Sequence, residues 1–222
     1  MEHVPYSLET VQSHIMATKG SNTVPIVRVP YNDPNIIKPV LDIGAAGVIA
    51  PMVCTAEEAA RLVSACLYPP QGIRGFGPRR PANYGLSMTP DFCQKANDSI
   101  FPIAQIEHAT AIKNVDAVLA TPGLSAVMIG PFDLSGSMGY TAQPNHPKVL
   151  EAIDHVIERA NRANVIVGMG VTDDPDSLRR WIDKGVKLLF IPPDYMLMLK
   201  ATREYVDVIR EQESQRAHAG QS

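Results

Sequence analysis

The 222-residue sequence lacks the features that mark secreted, membrane-spanning and nucleic-acid-binding proteins. Its formal net charge of −3 provides no basic surface for nucleic acid or for an acidic membrane. It has no apolar run near the roughly 18 residues that cross a bilayer, and no basic and apolar leader follows Met1. We therefore expect neither nucleic acid nor membrane as a partner, which leaves small-molecule chemistry open.

Cysteine is also scarce. Cys54, Cys66 and Cys93 are odd in number and show no C-x-x-C or Cys/His zinc spacing. We interpret them as reduced thiols that fill the core, and this use of cysteine favours a cytoplasmic location.

What the sequence does contain is a recurring unit: a helical segment ends at a glycine, an apolar strand follows, and a proline stands at the strand's far end. The copies are Gly44 with residues 47–51, Gly123 with 126–131, and Gly185 with 188–192. Glycine after a helix supplies a left-handed cap, and short apolar runs are typical of strands buried on both faces. With further apolar runs at 24–29, 101–107 and 165–169, the pattern predicts α/β alternation around a parallel sheet.

Helix starts are predicted from capping signals at Asp33-Pro34, Asp174-Pro175 and the capping box from Thr55 to Glu58. Pro39 should prevent a regular helix after the first of these. Trp181 has the helical spacing of a core residue.

The chain reads as one domain, residues 1–213, followed by a polar tail at 214–222 that we predict to be disordered. Between residues 68 and 97 the pattern breaks, and residues 69–81 are too rich in glycine and proline for a regular element. We expect this segment to be a functional loop, a subunit-contact arm, or both.

Polar residues at strand ends suggest where chemistry could occur, because active sites of parallel α/β barrels lie at the carboxyl ends of the strands. Arg28, Gln105 and Glu107 end two apolar runs, and Asp133 follows a third. Gln105 and Glu107 are two residues apart, so a regular strand would point both side chains to the same face.

Two strand-end carboxylates without a histidine or cysteine partner suit Mg²⁺ or Mn²⁺, with Co²⁺ or Zn²⁺ as further candidates. Alternatively, Glu107 or Asp133 caps a helix or pairs with Arg28. A metal so held can polarise a 2-oxo acid and stabilise its enolate, with Arg28 as a fixed positive group. No lysine ends an apolar strand, which argues against a Schiff base.

Several motifs, in order along the chain, resemble those of the HpcH/HpaI class II aldolases. They are residues 1–3, 25–30 with Asn32-Asp33, 41–44, 68–75, 105–107 and 130–135. The resemblance extends from Glu2 to about Arg210. It implies a metal-dependent TIM-type (β/α) barrel of the phosphoenolpyruvate/pyruvate-binding kind that releases pyruvate and an aldehyde from 4-hydroxy-2-oxo acids.

The same resemblance assigns roles to individual residues. Glu107 and Asp133 would bind the metal, while Arg28, Gln105, Gly130 and Pro131 would face the keto acid. His3 would be the catalytic histidine and Asp42 a supporting carboxylate.

Arg74, in the glycine-rich loop, would bind an anionic substrate group or pair with a neighbouring chain. The family's assemblies imply a homo-oligomer, either a hexamer or a trimer of dimers, in which residues 195–210 meet a partner copy.

Only six strands can be counted, so relative to the family we expect the first β-α-β portion to be absent. An incomplete sequence, a barrel completed by oligomerisation, and a paralogue without catalysis would each explain this. Three functions therefore stay open: an aldolase, an oxaloacetate decarboxylase, and a non-catalytic oligomerising barrel fragment.

Overall fold

A computed structural model describes residues 1–170 and 175–219, and its centre is one curled sheet of parallel strands. The strands lie side by side in chain order: β1 Ile26–Arg28, β2 Gly47–Ala50, β3 Phe101–Ile106, β4 Ala126–Ile129, β5 Ile166–Met169 and β6 Leu188–Leu189. Each strand is joined to the next through helical segments, as in a (β/α) barrel. The predicted α/β fold with six strands is therefore confirmed for the described residues, where β1 and β6 each pair with a single neighbour.

Helices flank the sheet and connect its strands. They are α1 Leu8–Ala17, α2 Pro34–Asp42, α3 Ala56–Cys66, α4 Phe92–Ser99, α5 Ala109–Lys113, α6 Val115–Leu119, α7 Pro131–Ser137, α8 Pro147–Arg162, α9 Pro175–Asp183 and α10 Asp194–Ala219. Among the described residues, no helix combines the length and apolarity needed to cross a bilayer.

The predicted turn chemistry is present where strands begin. Gly44, Gly123 and Gly185 have φ angles of 109°, 82° and 87°, the left-handed region that glycine enters most easily. The Asp33 side chain accepts a hydrogen bond from Asn35 N, and Thr55 Oγ1 accepts one from Glu58 N. The predicted cap at Asp174 lies outside the described residues.

Two expectations about helices differ from the structure. Pro39 lies inside α2, which continues to Asp42, because a proline has a helix-compatible φ and removes only one hydrogen bond. Residues 214–219 belong to α10 instead of a disordered tail. Gln215, Arg216 and the alanines at 217 and 219 are good helix formers, so a polar composition did not prevent a helix there.

The core has two layers because successive strand residues point to opposite faces. Val48, Ala104 and Val127 face the helices and join the main apolar cluster. Ile49, Ile103, Ala126 and Met128 face the concave side of the sheet.

Trp181 is buried in the helical layer, which confirms its predicted packing role. Of the three free cysteines only Cys66 is buried, and burial raises the pKa of its thiol to about 12. Cys54 is partly buried and packs against the main apolar cluster, whereas Cys93 is partly buried outside it, so the prediction of core filler is wrong for Cys93.

Candidate active site

Glu107 and Gln105 form the best-defined polar contact at the carboxyl end of the sheet. Both side chains are buried, and Gln105 Nε2 donates a hydrogen bond of 2.5 Å to Glu107 Oε2. This contact confirms that the two residues share a face, as the two-residue period of β3 requires. The backbone N–H of Met52 donates to Glu107 Oε1 at 2.8 Å. Met52 has a φ of 54°, an uncommon conformation for a non-glycine residue.

Burial, hydrogen bonds and neighbouring charges all act on the pKa of the Glu107 carboxyl. Burial is the largest cause and raises the pKa of Glu107 above its ordinary value. The hydrogen bonds from Gln105 and Met52 lower this pKa, whereas the negative charges of Asp133 and Glu2 raise it further. The carboxylates therefore lie close enough to repel each other, and a cation between them would stabilise both in their charged forms.

Gly130 allows the end of β4 to approach Glu107. A Cβ at this position would lie 2.7 Å from Glu107 Oε2, so a larger residue would displace the carboxylate. The chain then enters α7 at Pro131, which places Asp133 in the first turn of that helix and exposed to solvent.

A cavity of about 320 Å³ brings the predicted residues together. Its lining includes His3, Arg28, Gln105, Gly130, Pro131 and Asp133. Six of the residues that the sequence singled out thus share one opening at the carboxyl ends of the strands, the usual position of an active site in this fold.

Glu2 is a member of this group that the sequence did not single out. Its Oε2 atom lies 3.1 Å from Arg28 Nε and 3.8 Å from His3 Nε2. The side chains of Glu2 and Arg28 are both partly buried, whereas His3 is mostly exposed. In the sequence, the only sign that Glu2 belongs to the site was its position beside His3 in the motif at residues 1–3. Only the folded chain brings residues 2 and 28 together.

Asp42 and Arg74 lie outside this cavity. Asp42 ends α2, and its Oδ1 accepts a hydrogen bond of 2.7 Å from Arg74 Nη2. The Arg74 guanidinium also lies 4.4 Å from the centre of the Tyr68 ring. Arg74 borders a separate cavity with Ala46, at the edge where the strands begin. The structure therefore does not bring Asp42 to His3, or Arg74 to the opening beside Gln105, within one chain.

The donors present fit a hard cation. Among residues 1–170 and 175–219, no group of three His, Cys, Asp or Glu side chains forms a self-sufficient metal cluster. The available oxygens are those of Glu107 and Asp133, together with Gln105 Oε1, which is buried and has no hydrogen-bond partner in the part of the chain that the structure describes. Two carboxylates and an amide oxygen suit Mg²⁺ or Mn²⁺ with water and substrate as further ligands.

Sequence comparisons identify relatives along nearly the whole chain. The profile of the HpcH/HpaI aldolase/citrate lyase family matches residues 1–201. A 5-keto-4-deoxy-D-glucarate aldolase from Salmonella arizonae is 37% identical over 210 residues, which are 95% of this chain and 81% of that protein.

Solved structures give the same result. An HpcH/HpaI aldolase/citrate lyase family protein from Burkholderia cenocepacia superposes with a TM-score of 0.88 at 32% identity, covering 95% of this chain and 83% of that one. Macrophomate synthase superposes with a TM-score of 0.87 at 27% identity, covering 97% of this chain and 76% of that one.

Proposed function

The chain belongs to the HpcH/HpaI aldolase/citrate lyase family, and we propose that it is a metal-dependent lyase that cleaves 4-hydroxy-2-oxo acids to pyruvate and an aldehyde. The observation that carries this proposal is the grouping of Glu107, Asp133 and Arg28 at one end of the sheet. Glu107 and Asp133 interact electrostatically, and Arg28 lines the same cavity as Asp133.

Glu107 and Asp133 are the proposed metal ligands, with Mg²⁺ or Mn²⁺ as the preferred ion and Co²⁺ or Zn²⁺ as substitutes. When bound, such an ion supplies Lewis acidity toward the keto acid. Gln105 keeps Glu107 in place through its amide hydrogen bond.

Arg28 binds the oxygens of the keto acid and stabilises the negative charge that develops on them as the enolate forms. Glu2 contacts Arg28 at Nε and so limits the orientations of its guanidinium. In cleavage, the bond between C3 and C4 breaks, its electron pair forms the enolate, and the C4 hydroxyl loses its proton as the aldehyde forms. His3 lies in the cavity to accept that proton, and protonation of the enolate at C3 then gives pyruvate.

We further propose that the protein acts as a homo-oligomer, a hexamer or a trimer of dimers. Helix α10 exposes apolar side chains that a partner copy would cover, among them Met198, Tyr205, Val208 and Ile209. Light scattering should give a multiple of the 24.1 kDa chain mass, and a monomer would contradict this part of the proposal.

A second candidate reaction is the decarboxylation of oxaloacetate. The likeness to macrophomate synthase supports this second reaction, because macrophomate synthase superposes on the chain nearly as closely as the Burkholderia protein does. This reaction uses the same enolate and the same arginine, so only the substrate distinguishes the two.

The experiment is a coupled assay for pyruvate with 4-hydroxy-2-oxo acids, beside an assay for CO₂ release from oxaloacetate, each with Mn²⁺ and with excess EDTA. We expect pyruvate release that EDTA abolishes and Mn²⁺ restores. Release that persists unchanged in EDTA would exclude the metal-dependent mechanism. CO₂ release without cleavage of any hydroxy-oxo acid would replace the first reaction by the second. Inactivity in both assays, without Mn²⁺ binding by calorimetry, would indicate a non-catalytic oligomerising protein.

A further inference from the structure

Glu107 and Asp133, the two proposed metal ligands, lie on separate elements of the chain. Glu107 follows β3 and precedes α5, whereas Asp133 lies in the first turn of α7 and is exposed. At the strand ends the two segments are joined by a backbone hydrogen bond, in which Gly130 N–H donates to the Ile106 carbonyl over 3.1 Å. This bond lies where each segment leaves the sheet, so the far end of α7 requires a second restraint.

Ser137 supplies a second link, at the far end of α7. Its hydroxyl oxygen accepts a hydrogen bond of 3.0 Å from Ala109 N–H, and the hydroxyl donates one of 2.8 Å to the Leu134 carbonyl. Ala109 is the first residue of α5, where a backbone N–H has no partner within its own helix. Leu134 is buried and directly follows Asp133. Ser137 thus connects the start of α5 to the first turn of α7.

Together the two links close a loop of chain around the proposed metal ligands. One side of the loop is formed by residues 106–109 and contains Glu107, and the other is formed by residues 130–137 and contains Asp133. The negative charge of Asp133 acts on Glu107, so the two carboxylates repel each other when no cation lies between them. The closed loop opposes the separation that this repulsion favours.

We propose that Ser137 is a positioning residue that sets the separation of Glu107 and Asp133, and thereby the affinity of the site for a divalent metal ion. Ser137 does not line the cavity, so it acts through the elements that it joins. The inference rests on the proposed function, because it takes Glu107 and Asp133 as the metal ligands. Groups that orient metal ligands without binding the metal contribute about 10-fold to 100-fold to metal affinity.

Calorimetry with Mn²⁺ on the metal-free full chain measures this effect without a turnover assay. We expect Ser137→Ala to weaken Mn²⁺ binding by about 10-fold at unchanged stoichiometry, because the two carboxylates are then no longer held at one separation. Ser137→Thr keeps the hydroxyl group and should retain most of the wild-type affinity. Partial unfolding would instead lower the number of Mn²⁺ ions bound per chain.

A second variant separates the lost link from the unpaired N–H that Ser137→Ala leaves at Ala109. Proline is well accepted at the first position of a helix, and His108 has the extended conformation that a residue before proline prefers, with φ −133° and ψ 145°. Ala109→Pro added to Ser137→Ala removes the unpaired donor without restoring the link, so we expect the same weakened affinity. Recovery of wild-type affinity would attribute the loss to the unpaired N–H and overturn the proposal.

Ser13→Ala is the matched control. Ser13 Oγ donates to the Glu9 carbonyl over 2.9 Å on the exposed side of α1, the same kind of bond within a helix that Ser137 makes to Leu134. Because Ser13 joins no second element to the site, its loss should leave Mn²⁺ affinity unchanged.

Two further results would overturn the inference: wild-type affinity in Ser137→Ala, or an equal loss of affinity in Ser13→Ala. Failure of the proposed function gives a different result. In that case the wild-type protein itself binds no Mn²⁺, and the inference for Ser137 fails with it.

Discussion

The two ends of the sheet each contain an arginine paired with a carboxylate, and the pairs differ in their surroundings. At the end where the strands begin, Arg74 and Asp42 are 2.7 Å apart, with side chains 4% and 16% exposed. At the carboxyl end, Arg28 and Glu2 are 3.1 Å apart, with side chains 30% and 22% exposed. In the first pair the Arg74 guanidinium stacks on the Tyr68 ring, whereas in the second pair Arg28 lines the cavity.

From this difference we expect the Arg74–Asp42 pair to contribute to stability and the Arg28–Glu2 pair to a site. Arg74 and Asp42 compensate each other in a buried position, so loss of either leaves an unpaired charge. At the carboxyl end, the negative charges of Asp133 and Glu2 act on Glu107, and burial disfavours ionisation of Glu107. Uncompensated charge of this kind is typical of a binding site.

The largest expected effect comes from the carboxyl end. Glu107→Gln keeps the shape of the side chain but removes a proposed metal ligand, so we expect pyruvate formation to fall by about 10³-fold or more. The free energy of unfolding without metal should not decrease, because the variant removes a carboxyl group whose ionisation is disfavoured by burial and by the charges of Asp133 and Glu2. Glu57→Gln, on an exposed carboxylate of α3, is the control. Turnover equal to that of the wild type would show that Glu107 has no part in the reaction.

The next largest effect should be a loss of stability, caused by a change at the end of the sheet where the strands begin. Arg74→Met leaves the Asp42 carboxylate without its partner, and we expect it to lower the free energy of unfolding by about 3 kcal/mol in urea denaturation. The double variant with Asp42→Leu should recover most of this loss.

Lys95→Met breaks the exposed pair with Asp91 and should cost less than about 1 kcal/mol. Turnover per folded molecule should be unchanged in Arg74→Met. A specific loss of turnover would instead indicate that Arg74 serves a site, and the contrast between the two ends would then fail.

The smallest effect should come from Glu2. Glu2→Gln removes the charge that orients Arg28, so we expect KM for the keto acid to rise by about 10-fold, the equivalent of one charge-assisted hydrogen bond. The value of kcat should change less than KM, and Glu2→Asp should restore part of the loss. Glu9→Gln, on the exposed first turn of α1, is the control. An unfolding free energy reduced as much as in Arg74→Met would mean that both pairs act on stability.

Much of this arrangement was predictable from local pattern. The six strands were predicted from apolar runs and glycine caps, because a strand buried on both faces must be apolar throughout. Gln105 and Glu107 were predicted to share a face because the period of a strand is two residues, and their hydrogen bond confirms it.

Other parts were not predictable from local pattern. The contacts of Glu107 with Met52 and of Asp42 with Arg74 join residues 55 and 32 positions apart. The supporting role of Asp42 came from the family resemblance and stays a prediction, and its contact with Arg74 within one chain was visible only after folding. Pro39 was judged by its local preference, which the helix around it overrode, whereas residues 214–219 were judged by their polarity, although several of them are good helix formers.

The sequence by itself determined the class of fold, the strands and the strand-end residues, because periodicity and turn chemistry act over a few neighbouring positions. Only the tertiary structure decided which charges meet. It paired Arg74 with Asp42 away from the cavity and set Glu2 against Arg28 beside it. The energy of a charged group depends on burial and on partners brought close by folding, and neither can be read from its position along the chain.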